Sequence, residues 1–397
     1  MISRMQFFLL NIFHIIVDGL FDSIPILLTF MIVGFGGDEK QIGIIVSCGA
    51  LMGTLGGIGT VYLSNRLGFL RVLAWTAIFY GAGFFANAFA QGIVYTGLFF
   101  ILAMAGQTLF HNVAFSYLTA RTERQRLGRV MSDFTAYGDI GRIPLTALSG
   151  YLAAMTLFGA PGWRTVCLVY GLAVLAVGGG LLAITLRGTP DNTEAREKPR
   201  LFPSAGILRN RQLALAMVAS LLNAFSGDQL FVFLPMLLLA KGIEPKIFGS
   251  FALGFTLGCF IGKMACGRFL DRYGNRIIFV VCELLMVAML AGLVMAEGLV
   301  PIMTMALLLG IVSKGTVPVV QTIITEPLRG RGGYEDIFSI NSLLRGLVNT
   351  ASPLLFGFIG ARYGMASAYL LMAGGALVAV VPILLMDKRD GAVPDQT

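Results

Sequence analysis

The sequence predicts an all-α membrane protein of twelve spanning helices, arranged as two parallel-related six-helix repeats with both termini cytoplasmic. Three observations predict it. Hydrophobic residues make up 56% of the 397 and charged residues only 13%, far from the balance of a water-soluble domain. The apolar residues fall into twelve runs, each able to span a bilayer as a helix of about 20 residues. A glycine pattern in the first half returns in the second at a constant offset.

In chain order the runs cover 5–33, 41–64, 70–90, 93–119, 128–156, 163–186, 212–240, 246–269, 276–296, 299–325, 336–360 and 364–386. The first is long and carries His14, Asp18 and Asp22, so it reads as a retained helix rather than a cleaved leader. Connections are short except 187–211, a polar, proline-containing stretch that reads as a linker. The chain therefore divides into an N-terminal bundle (1–186), a cytoplasmic linker (187–211) and a C-terminal bundle with a short tail (212–397). Cys48, Cys167, Cys259, Cys266 and Cys282 all lie in apolar runs without a Cys-x-x-Cys pair, which reads as packing.

Basic residues fix the orientation. With the N-terminus inside, twenty of the 29 Lys and Arg residues fall on the cytoplasmic side and five on the other, with Arg142, Lys263, Lys314 and Arg345 inside spans. This asymmetry accounts for the net charge of +8 without a nucleic-acid partner.

The repeat is visible in register. Gly49, Gly53 and Gly57 of span 2 return as Gly254, Gly258 and Gly262 of span 8, an offset of 205. Asn65-Arg66-x-Gly68 returns as Asp271-Arg272-x-Gly274, Pro25 answers Pro235, and Gly150 answers Gly357. Small residues four apart are helix-packing surfaces on their own. In register across two halves they indicate duplication in one membrane orientation, the construction of a parallel-repeat transporter.

Ionisable groups inside spans are costly, and each is a functional hypothesis to be weighed against a plain helix-joining ion pair. His14, Asp18 and Asp22 stand four apart on one helical face, a plausible proton column, or else partners for an arginine on another helix. Span 5 holds Asp133, Asp139 and Arg142, with Asp139 and Arg142 close enough to pair within the helix. It also holds Pro144 with Gly138, Gly141 and Gly150. Span 11 carries Asn341, Arg345 and Asn349 on one face, and span 10 carries Lys314 with Gln321 seven residues on. Arg142, Arg345 and Lys314 near the midplane suit an anionic or zwitterionic substrate, since a guanidinium binds a carboxylate or phosphonate through two parallel bonds. Gln107, His111 and Asn112 of span 4, and Asn223, Asp228 and Gln229 of span 7, are candidate cavity walls, with Asp228 a further candidate for proton coupling. Lys263 and Glu283 are expected near charged loops or bundle surfaces, snorkelling or paired.

Between spans 8 and 9 lies Gly267-Arg-Phe-Leu-Asp271-Arg272-Tyr-Gly274-Asn-Arg276. This Gly-x-x-x-Asp-Arg-x-Gly-x-Arg pattern resembles the signature loop of the major facilitator superfamily of secondary transporters. The resemblance implies that Gly267, Asp271, Arg272, Gly274 and Arg276 form a latch stabilising one closed state. The first-half copy departs from it, with Asn65 where the family has an acid and Val61 where it has the leading glycine. A second likeness rests on Leu10-Asn-Ile-Phe-His14, Ile24-Pro25, Gln41-Ile-Gly43, Gly106 through Asn112, and Gly138-Asp-Ile-Gly141 with Pro144. These segments resemble the fosmidomycin-resistance branch, which implies proton-driven export of small phosphonates and similar compounds. Departures are Asn112 where that branch has proline and Phe13-His14 where it has Asn-Asp.

The expected function is a proton-coupled transporter of a small organic anion or amphiphilic compound, an exporter by the branch likeness. An uptake symporter, an uncoupled facilitator and a membrane ligand sensor remain alternatives. Substrate would meet Arg142, Arg345, Lys314, Gln107, His111, Asn341 and Gln321, and the proton would use Asp18, Asp22, His14, Asp139 or Asp228. An enzyme is disfavoured: the sequence holds no metal-ligand spacing, nucleophile elbow or phosphate-binding glycine loop. No cofactor and no metal are expected. The expected partners are a small-molecule substrate, protons and the bilayer, with the chain a monomer in a bacterial inner membrane.

Overall fold

The computed structural model describes residues 4–122, 124–187, 210–328 and 334–387. Apolar runs become helices because backbone N–H and C=O groups in hydrocarbon have no partners but each other. The first half forms α1 (Arg4–Phe21), α2 (Ile24–Gly34), α3 (Glu39–Leu67), α4 (Phe69–Asn87), α5 (Ile93–Arg121), α6 (Arg124–Ala153) and α7 (Gly162–Arg187). The second forms α8 (Arg211–Gly227), α9 (Leu230–Ala240), α10 (Phe248–Tyr273), α11 (Asn275–Met295), α12 (Leu299–Thr325), α13 (Tyr334–Tyr363) and α14 (Met365–Leu384). A small antiparallel hairpin, β1 (Thr156–Leu157) and β2 (Ala160–Pro161), joins α6 to α7. Nearly all of the 187–211 linker lies outside the described residues.

Ten stretches of the described residues are long and apolar enough to cross a membrane. The two other expected spans, α3 and α6, have the length, 29 and 30 residues, but are more polar. Asp133, Asp139 and Arg142 interrupt α6, and α3 is rich in glycine with charged ends.

Spans 1 and 7, continuous in the sequence reading, are each broken into two helices. The breaks fall at Asp22–Ser23 and Asp228–Gln229. Pro25 accounts for the first: it has no N–H to continue the ladder, and it sits in the opening turn of α2, where none is needed. The second follows Ser226-Gly227, a poor helix-forming pair, while Pro235 lies inside α9.

Helix starts follow local chemistry. Asp38 caps α3 by accepting from Lys40 N at 2.9 Å, while Gln41 Oε1 accepts from Asp38 N at 2.8 Å. Gly68 and Gly274, equivalent in the repeat, turn the chain into α4 and α11 at φ of 86° and 79°, a conformation closed to most side chains.

By its contacts the chain forms two compact units. The first is Met1–Pro199 with Gly242–Leu253 and Pro353–Phe358; the second is Arg200–Lys241 with Gly254–Ser352 and Ile359–Thr397. In the first, α1 packs on α6, α3 and α4 on α5, and α4 on α7. Tyr80, Phe84 and Phe100 stack edge-to-face in its core. In the second, α8 packs on α14, and α11 on α12 and α14.

The glycine stripes serve these contacts. A Cβ at Gly49, Gly53 or Gly57 would meet Met104, Thr108 or Asn112 of α5 at 2.5–2.8 Å. Gly258 and Gly262 lie against the backbone carbonyls of Leu307 and Ile311 on α12, closer than any side chain would allow. A Cβ at Gly254 would meet nothing within 4 Å among the described residues, so that member of the stripe makes no close contact of this kind. Exposed apolar residues such as Leu98, Leu284, Leu370 and Leu377 cover the outer faces, as lipid contact requires.

Candidate functional site

Polar groups inside the first unit gather around Asp18. The column on α1 forms because His14, Asp18 and Asp22 stand one helical turn apart. It meets α6 closely because α6 offers glycine there. A Cβ at Gly138 would lie 2.6 Å from Asp18 Oδ2, and one at Gly141 would collide with the carbonyl of Ile15. This close approach lets Arg142 of α6 reach Asp18 Oδ2 at 2.9 Å. The same guanidinium lies 3.6 Å from Asp22 Oδ2 and 3.5 Å from Asp139 Oδ1. Asp139 is thus a partner of Arg142, as the spacing allowed, but the shortest contact runs between helices.

His111 of α5 completes the group. Its Nε2 is 3.0 Å from Asp18 Oδ1 and 3.1 Å from His14 Nε2, and His14 Nε2 is 3.2 Å from Asp18 Oδ2. His14 Nδ1 sits 2.9 Å from the carbonyl of Phe134, which can only accept, so Nδ1 carries the proton. His111 Nδ1 sits 3.1 Å from the carbonyl of Gln107 and 3.2 Å from its side-chain amide. Asp18 and His14 are almost wholly buried, whereas His111, Arg142 and Asp22 keep about a fifth to a quarter of their side-chain surface exposed. Among these groups three carboxylates share one guanidinium.

The second unit holds a corresponding pair. Asp228, at the break between α8 and α9, accepts from Arg345 of α13 at 2.7 Å and from Asn349 at 3.3 Å, with Lys314 of α12 at 3.6 Å. Arg345 also donates to the carbonyl and hydroxyl of Ser220, and Ser220 donates to Asn341 at 2.8 Å. Gln229 donates to Asn349 at 3.4 Å. Here two cations face one carboxylate, an excess of one positive charge. Each of the three expected substrate-binding cations is therefore held by an acid.

Other expected site residues are placed apart. Gln321 is exposed on α12, and among the described residues its side chain joins neither cluster. The side chain of Asp271 lies outside the described residues. Arg272 stacks over Tyr273 at 5.3 Å, and Gly267 has open space around it. Arg276 bonds the carbonyls of Met386 and Asp387 at 3.3 and 2.5 Å and lies 3.8 Å from Glu326, so it ties α11 to the end of α14.

Two features escaped the sequence reading. His111 belongs with the α1 column, which no spacing could reveal across 97 residues. Glu283, expected at a loop or bundle surface, is instead wholly buried within α11. Its Oε1 accepts from Asn223 at 2.6 Å, and Asn223 also donates to Thr316. The mid-helix position of Glu283, eight residues from the start of α11, was the available signal.

Helices of membrane-spanning length built as two glycine-packed bundles, each with a buried acid–arginine pair, define a polytopic membrane protein of the secondary-transporter class. The chain belongs to the Major Facilitator Superfamily, whose profile matches residues 7–332 and 217–396. It is 28% identical over 134 residues to the multidrug resistance protein MdtG of Klebsiella pneumoniae (strain 342), an alignment covering 33% of this chain and 31% of that one. The chain thus matches about a third of the length of that curated relative. Among solved structures, a bacterial homolog of the human lysosomal transporter Spinster superposes with a TM-score of 0.78 at 13% identity, covering 98% of both chains. The nucleoside transporter NupG gives 0.75 at 13% identity over 96% and 99%, and a D-xylose-proton symporter 0.73 at 14% over 97% and 98%. At such identities these structures share the fold alone.

Proposed function

We propose that the chain is a proton-coupled secondary transporter that exports a small organic anion or amphiphilic compound by alternating access of two six-helix repeats. The observation that carries this reading is the acid–arginine pair that recurs in the two units, Asp18 with Arg142 and Asp228 with Arg345. Unequal surroundings divide their roles. The three acids that share Arg142 suit a proton site, and the two cations that share Asp228 suit an anion.

Asp22 is the proton carrier in this scheme: it is partly exposed and more loosely held by Arg142 than Asp18 is. Protonating Asp22 shifts Arg142 fully onto Asp18 and Asp139, and its loss restores the three-way contact. Arg345 and Lys314 hold the substrate anion, with Asn341 as a cavity wall. The likeness to a multidrug resistance protein supports export. We further assign twelve spans, with α3 and α6 crossing as polar-faced helices, cytoplasmic termini, a bacterial inner membrane and a monomer. Asp271 and Arg272 serve as the cytoplasmic latch.

The test is substrate-induced proton movement in proteoliposomes with an entrapped pH-sensitive dye, screening small anions that include phosphonates. Proton flux on adding one compound, lost in Asp22→Asn, supports coupling and gives its direction. Gradient-driven transport that survives in Asp22→Asn removes the coupling role, and transport without any proton flux favours an uncoupled facilitator.

A further inference from the structure

Transport as proposed leaves His14 and His111 without a task, and their arrangement has a geometry of its own. The two Nε2 atoms lie 3.1 Å apart, with His14 Nε2 3.2 Å from Asp18 Oδ2 and His111 Nε2 3.0 Å from Asp18 Oδ1, and one ligand atom from each residue lies within 4.8 Å of the others. A tetrahedral ion with bonds of about 2.0–2.1 Å separates its ligand atoms by about 3.3 Å, a spacing the two nitrogens already have and each has to one oxygen of the Asp18 carboxylate.

We propose that His14, His111 and Asp18 bind one divalent transition-metal ion of the Zn²⁺, Co²⁺ or Ni²⁺ type. Three observations beyond these distances support it. First, the outer contacts are those a metal-bound histidine requires: His14 Nδ1 faces the Phe134 carbonyl and His111 Nδ1 the Gln107 carbonyl. With the Phe134 carbonyl accepting, His14 presents a bare Nε2, and the His111 tautomer that donates to the Gln107 carbonyl does the same. Second, Asp18 is nearly buried and its Oδ1 receives no hydrogen bond of good geometry, because Arg142 occupies Oδ2. One carboxylate oxygen therefore remains for a metal.

Third, the rings are fixed in place. His14 stacks on Phe134 at a centroid distance of 3.9 Å, and His111 stands edge-on to Phe110 at 5.3 Å. His111 keeps about a fifth of its side-chain surface exposed, so the cluster is not sealed from water or a ligand. Nitrogen and carboxylate donors together select a borderline ion over Ca²⁺ or Mg²⁺. Since His14 and Asp18 belong to α1 and His111 to α5, a bound ion ties these helices together.

The experiment uses the full-length protein in detergent, with any affinity tag removed, titrated with Co²⁺ and then Zn²⁺. One Co²⁺ per chain with the intense visible absorption of a four-coordinate site, displaced by Zn²⁺, is the expected result. In His111→Gln and in His14→Gln affinity falls at least ~100-fold, the upper end of what losing an outer-shell partner alone costs. Absence of stoichiometric binding by the unmodified protein overturns the proposal, as does a weak six-coordinate spectrum or equal binding by both variants. The spectrum of the unmodified protein decides even if a variant misfolds. Binding is read without transport, so a failure of the coupling scheme is distinguishable from a failure here.

Discussion

The Asp18 cluster and the Asp228 cluster are two versions of one device. Each has an acid from the first, broken span of its unit and an arginine from the fifth. Counting from that shared pair shows what changed. Four residues before the acid stands His14 in one and Ala224 in the other; four after it, Asp22 and Val232. Three residues before the arginine stand Asp139 and Ser342, and four before it Gly138 and Asn341. The first unit has acids, histidine and glycine where the second has small, neutral or amide side chains, and the second has Lys314 beside its acid. The groups around an ion pair, rather than the pair itself, therefore distinguish the two clusters.

The largest expected effect tests the glycine contact that only the first unit needs. Gly141→Val drives a side chain into the Ile15 carbonyl and pushes α1 from α6. We expect a loss of about 3 kcal/mol, at the upper end for overpacking, seen as lower thermal stability in detergent. Leu344 occupies the corresponding place on α13, and Leu344→Val should change stability by less than half as much.

Next come the arginines. Arg142→Gln removes the guanidinium that three carboxylates share and should cost about 2 kcal/mol, a discounted value because the site is partly exposed. Arg345→Gln leaves Lys314 beside Asp228, and about 1 kcal/mol is expected. Equal losses in denaturation experiments would remove the asymmetry between the clusters.

A smaller effect is expected at Lys314. In Lys314→Gln the excess positive charge near Asp228 disappears, and KM for an anionic substrate should rise about fivefold, equivalent to about 1 kcal/mol. An unchanged KM would separate the anion from this cluster.

The smallest effect concerns a feature the units share. Tyr80 donates to the Val17 carbonyl at 2.9 Å and Tyr369 to the Leu230 carbonyl at 2.6 Å, each bracing a broken span. Tyr80→Phe and Tyr369→Phe should each cost about 0.5–1 kcal/mol of thermal stability, and by similar amounts.

The sequence by itself determined the helical membrane class, since apolar runs of bilayer length permit little else, and it determined the family through the Gly267–Arg276 loop. Gly68 and Gly274 recur in register in the sequence, and the structure puts both at turns whose backbone angles only a residue without a Cβ takes readily. The α1 column was legible because helical periodicity ties spacing to direction. What tertiary structure decided was pairing across helices. Asp18 could have met either arginine, and only the closeness that Gly138 and Gly141 allow brought Arg142 to it. His111 joined the group across 97 residues of chain, and Glu283 turned inward to Asn223 rather than toward a loop. Periodicity determines which face of a helix a residue occupies; the neighbour that face meets depends on how the helices pack, and no single run of sequence contains that information.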